Sequence, residues 1–105
     1  MILEVTAEAI RDIAAAVHAA RRREPGIEIL AAVERKVMGA IQRRSYTLEL
    51  EDQEAMSLRN VLLQRAYDQR RTTEGSDYQE LAERIGNALE AQEPLLEIEA
   101  RDDRG

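Results

Sequence analysis

The sequence predicts a helix-rich α+β domain in which amphipathic helices cover one face of a small sheet. Three observations predict it. Within residues 46–63, YTLELEDQEAMSLRNVLL, the apolar period changes from two to that of a helix. Three other long stretches place apolar residues at i, i+3, i+4 and i+7. Short runs near both ends of the chain alternate apolar with acidic residues. A wholly helical bundle is the alternative, because short strands are the elements that a sequence pattern specifies least.

The first strand is read at residues 2–5, where Leu3 and Val5 face one way and Glu4 the other. Thr6 follows as an N-cap, its hydroxyl free to accept from an amide of the first turn. The helix it opens runs to about Arg23, with Ile10, Ile13, Ala14, Val17 and Ala20 as its buried stripe. Pro25 and Gly26 stop it. A second helix over residues 27–44 buries Leu30, Val33, Val37, Ala40 and Ile41, and Ser45 breaks the pattern.

The central strand places Tyr46, Leu48 and Leu50 on one side and Thr47, Glu49 and Glu51 on the other. Asp52 then stands where an N-cap acceptor is expected, opening a third helix to about Gln69. Its apolar arc is wider than one face needs. Ala55, Leu58, Leu62 and Ala66 form one stripe, widened by Val61, and Met56, Leu63 and Tyr67 form another. A helix of this breadth is either buried between two layers or presents a side to a partner.

Residues 70–75, RRTTEG, read as a loop, and Ser76 with Gln79 as the capping box of a fourth helix. That helix buries Tyr78, Leu81, Ala82, Ile85, Ala88 and Leu89 before Pro94. Leu96, Ile98 and Ala100 alternate with Glu97 and Glu99 as a third strand, and residues 101–105 form a frayed tail.

An internal echo runs through this order. At an offset of 45 residues, Leu3 aligns with Leu48, Val5 with Leu50, Ile13 with Leu58 and Val17 with Leu62. In the second helices the offset is 48, pairing Leu30 with Tyr78, Val33 with Leu81, Val37 with Ile85 and Ile41 with Leu89. The expected organisation is a single domain over residues 1–100, built from strand–helix–helix units at 1–45 and 46–93 plus a closing strand.

Composition narrows the function classes. With 105 residues and 44% hydrophobic content, one aliphatic core is expected; aromatics are limited to Tyr46, Tyr67 and Tyr78. The absence of cysteine removes disulfides and thiolate metal sites. Residues 1–13 lack the basic start of a signal peptide, and no apolar run spans a bilayer, so a cytoplasmic location is expected without membrane contact. A net charge of −6 disfavours nucleic-acid backbones and anionic lipid.

The chemistry-bearing residues have structural explanations close at hand. His18 is a single histidine without a companion at ligand spacing, and no cofactor is expected. Glu49, Glu51, Asp52 and Glu54 cross a strand-to-helix junction, where acids meet free amides and the positive end of the helix dipole. Fourteen arginines stand against one lysine, Lys36, and their clusters at 21–23, 43–44 and 70–71 fall at predicted helix C-termini. No phosphate loop, nucleophile elbow or paired-histidine motif is present, so an enzyme is the least supported class.

The expectation is therefore a non-enzymatic interaction protein, self-associating and acting as regulator or inhibitor of a protein partner, of the kind a bacterium or phage uses. Its contact residues are expected at Met56, Leu63 and Tyr67. The competing expectation is a regulator that binds an anion, nucleotide or nucleic acid through Arg22, Arg43 and Arg70.

Overall fold

A computed structural model describes residues 1–91, with the side chains of Thr73 and Glu74 excepted. The element order is β1 (Ile2–Glu4), α1 (Ala7–Arg23), α2 (Glu28–Arg43), β2 (Thr47–Glu49), α3 (Asp52–Asp68) and α4 (Thr73–Ala91). The chain is thus helix-rich with a small two-stranded antiparallel sheet. The strand predicted over 96–100 and the tail lie outside the described residues.

The alternation seen in sequence sets the sheet's two faces. Leu3, Leu48 and Leu50 are buried against the helices, whereas Ile2, Glu4, Thr47 and Glu49 face water. Leu3 stands directly opposite Leu48, flanked by Ile2 opposite Glu49 and Glu4 opposite Thr47. Beyond the strands the ladder continues symmetrically, with the Val5 amide on the Tyr46 carbonyl and the Leu50 amide on the Met1 carbonyl, both at 2.8 Å.

Beneath the sheet, α1 and α3 stand together. α2 packs on both, and α4 lies mainly on α3. The core is aliphatic apart from buried Tyr78: Ile10, Ile13, Val17, Val33, Val37, Leu58, Leu62 and Ile85 are all essentially inaccessible. Each helix stripe predicted from the 3.6-residue period supplies this core. Thr6 caps α1 as expected, accepting from the Ala9 amide at 3.0 Å. α2 ends through Arg44 in the left-handed conformation (φ 53°), with the Ser45 amide reaching the Ala40 carbonyl at 3.0 Å.

Three sequence expectations are corrected. The N-cap of α3 is Glu51, and Asp52 is already helical. The reason lies three residues on, where the Glu54 carboxylate accepts the Glu51 amide at 2.9 Å and so fixes the helix start one residue earlier. Tyr46 precedes β2 and is 39% exposed instead of joining Leu48 and Leu50 inside. The fourth helix begins at Thr73, so Ser76 lies within its first turn and not at its N-cap.

The early start of α4 depends on a tight turn. Thr72 donates both its amide and its hydroxyl to the Gln69 carbonyl at 2.9 Å. α4 then passes so close under the end of α3 that Gly75 is buried against the Gln69 backbone. A second helical glycine, Gly86, faces only the flexible Arg59 side chain, with Nε 3.2 Å from where a Cβ would stand. Gly86→Ala is therefore expected to be neutral or to stabilise by up to ~1 kcal/mol, since alanine is the better helix former and Arg59 can move aside. A lowered midpoint in urea would show that Arg59 is held rigidly.

The contacts follow the offsets found in sequence. α1 and α3 each span 17 residues, and their bounds are 45 positions apart at both ends. Arg23 at the end of α1 bonds Asp68 at the end of α3, 3.3 Å away and again 45 positions on. Lys36 of α2 donates to the Glu49 carbonyl of β2 at 3.0 Å. Arg84 of α4, 48 positions after Lys36, donates to the Glu4 carbonyl of β1 at 2.9 Å. Each second helix thus reaches across to the strand of the other half.

Candidate functional site

The outer face of α3 carries the predicted contact residues. At about 100° per residue, Leu63 and Tyr67 fall about 20° either side of Met56, and Leu58 lies about 160° away in the core. Met56 is 53% exposed and Tyr67 62%, whereas Leu63 is half-buried beside α4. Leu63 and Tyr67 line a shallow groove of about 460 Å³ together with Arg70 and Gln79. Arg70 lies over the Tyr67 ring with its guanidinium carbon 4.4 Å from the centroid, and its Nη1 donates to the Tyr67 carbonyl at 2.9 Å. Cation and ring are held together at the C-terminal end of the stripe. Exposed Asn60 lies between Met56 and Leu63.

The equivalent surface of α1 has a different character. Forty-five positions before Met56, Asn60, Leu63 and Tyr67 stand Arg11, Ala15, His18 and Arg22, all exposed. Two helices of equal length occupy corresponding places in the scaffold, yet one shows water a basic face and the other an apolar one. The scaffold therefore tolerates charged groups at the exposed positions that Met56 and Tyr67 occupy, whereas Leu63 is packed against the core.

The N-terminal end of the stripe is held by a charged clamp that sequence reasoning did not find. Lys36 Nζ lies 2.6 Å from Glu54 Oε1 while also holding the Glu49 carbonyl, tying α2 to β2 and to the first turn of α3. The Glu54 side chain is only 8% exposed, and that of Lys36 40%. Burial pushes the Glu54 pKa up, but the bonds from Lys36 and from the Glu51 amide more than offset this, leaving the carboxyl below its ordinary range. Glu54 was legible as a capping acid. Its lysine partner, 18 residues earlier on another helix, has no local signature.

The candidate anion-binding arginines do not form one patch. Arg22 lines a cleft with Arg23, Arg65 and Asp68 at the far ends of α1 and α3. Arg43 lies at the opposite end of the molecule, in a groove beside β2 with Lys36 and Glu49, and its guanidinium folds back over Gly39. Arg70 is stacked on Tyr67. Carboxylates compensate several cations: Arg23 meets Asp68, and Arg21 meets Glu34. His18 is exposed, its Nδ1 3.7 Å from Glu34 Oε2. Among the described residues, no group of three or more histidine or acidic side chains is arranged to hold a metal ion, and no helix is long and apolar enough to cross a membrane.

Comparison with known proteins finds no matching family model, no similar curated protein and no similar solved structure.

Proposed function

We propose that this chain is a small interaction module that works by burying the outer face of α3 against a protein surface, self-associating through it and regulating or inhibiting a protein partner. The supporting observation is the contrast between corresponding helices. Met56 and Tyr67 are exposed to water, with Leu63 half-buried between them and the core, on a scaffold whose other half fills those places with Arg11, Arg22 and His18. Exposed methionine and tyrosine beside a half-buried leucine are the residue types enriched at interface centres, and stacked Arg70 fits the polar rim. The matched offsets of contacts and helix bounds favour a scaffold of two strand–helix–helix units, duplicated and then diversified on their outer faces.

Anion binding through Arg22, Arg43 and Arg70 has less support, because the first two stand at opposite ends of the bundle and the third is engaged with Tyr67.

The test is light scattering on the full chain at micromolar concentration. An oligomer is expected. Leu63→Glu is expected to dissolve it while moving the melting temperature little, because Leu63 flanks the core and does not fill it. A clean monomer removes self-association. A collapse of stability in Leu63→Glu reassigns the residue to the fold.

A further inference from the structure

The distribution of charge along α3 identifies what covers its apolar face. The stripe begins beside exposed Asp52 at the positive end of the helix dipole, with exposed Glu49 and Glu51 in the segment leading into it. It ends beside Arg70 and Arg71, just past the helix's negative end. A surface acidic at one end and basic at the other, with an apolar middle, is complementary to itself when turned round. We infer that the partner of this face is a second copy of the chain, docked with the two α3 helices antiparallel about a two-fold axis. This rests on the reading of α3 as an interaction surface and gives that reading a geometry.

The register follows from the spacing. An isologous antiparallel pair sets residue i of one copy against residue j of the other, with j against i as well. Placing the axis between the levels of Val61 and Leu62 sets Met56 against Tyr67 and Asn60 against Leu63. The same axis brings the Asp52 end of one copy to the turn that carries Arg70 and Arg71 in the other. One placement of the axis thus matches thioether to aromatic ring at both ends of the apolar stripe and acid to guanidinium beyond it. A parallel pair would instead set the acidic ends against each other and the arginines against each other. α1 has the same polarity, with Glu8 in its first turn and Arg21–Arg23 in its last, but the corresponding register sets Arg11 against Arg22 and lacks an apolar middle.

The chain has no cysteine, which makes the test direct. Asn60→Cys introduces one thiol close to the inferred axis. Ala15→Cys places one at the corresponding, equally exposed position of α1. On mild oxidation in dilute solution, Asn60→Cys is expected to give a covalent dimer and Ala15→Cys to stay monomeric. Asp52→Arg and Arg71→Asp are each expected to weaken association by about tenfold at low salt, and the double variant to restore it. Association that persists with no Asn60→Cys linkage and no rescue by the double variant overturns the antiparallel register and leaves the α3 face as a contact surface. A chain that stays monomeric at all concentrations overturns the second copy as occupant. The face is then covered by residues 92–105 or by a different protein, outcomes that crosslinking within one chain and crosslinking to a foreign chain tell apart. Association unaffected by Leu63→Glu removes the underlying reading itself.

Discussion

Gly75→Ala is expected to destabilise the protein by roughly 2–3 kcal/mol, although alanine is ordinarily the better residue in a helix. A Cβ at this position would collide with the Gln69 carbonyl oxygen and stand 2.8 Å from its carbon, with the Ala66 oxygen at 3.1 Å. These are backbone atoms at the end of α3, held by the Thr72 bonds to the same Gln69 carbonyl. No side chain can swing away, so relief requires α4 to lift off α3. The propensity gain of about 1 kcal/mol is smaller than this cost. Urea unfolding of Gly75→Ala beside Gly86→Ala is the check, because both replace a helical glycine and only one meets backbone. Equal midpoints would mean that the close approach at Gly75 is not required.

Lys36→Met is expected to cost about 3 kcal/mol at neutral pH. Removing the ammonium leaves Glu54 buried with only the Glu51 amide to compensate its charge, and breaking one side of a buried pair costs about 3–5 kcal/mol. The lower end applies because the Lys36 side chain is 40% exposed, and solvent screens part of the pair. The pH dependence carries its own signature. Glu54 titrates below its ordinary value in the folded chain, so the stability it contributes is complete above the unfolded value of about 4.3 and is lost as pH falls through the lower folded value. Without Lys36, burial dominates and the folded pKa rises above the unfolded one. The variant then gains relative stability on protonation, so its deficit narrows as pH drops towards about 4. Denaturation curves at neutral and acid pH measure this. A deficit constant with pH would mean that Lys36 acts through packing of its aliphatic stem.

Much of this arrangement is written locally in the chain. The stripes of Ile10, Ile13 and Val17 or Leu30, Val33 and Val37 repeat at helical period, and burial of any other face would expose them. Leu3 and Leu48 announce the sheet's covered side by alternation, and the offset of 45 that aligns them is also their pairing across the ladder. Where reading failed, the deciding partner was distant or the cause was an absence of atoms. Tyr46 shares the period of Leu48 and Leu50, but period two assigns a side and not the extent of cover. Ser76 and Gln79 satisfy a capping pattern that the turn at 69–72 overrides by starting α4 sooner. The second apolar stripe of α3 was visible as surplus hydrophobicity, and Met56 and Tyr67 of it are exposed. The contrast with Arg11, His18 and Arg22 became meaningful only once α1 and α3 were seen as corresponding elements.

The reach of Lys36 to Glu49 and of Arg84 to Glu4 has a colloidal consequence. Each flank of the two-stranded ribbon has one carbonyl already engaged by a cation from a neighbouring helix, and a stray extended peptide meets a fixed positive charge where it would need a vacant acceptor. Open-ended stacking of ribbons into fibres is thereby disfavoured on both flanks at once.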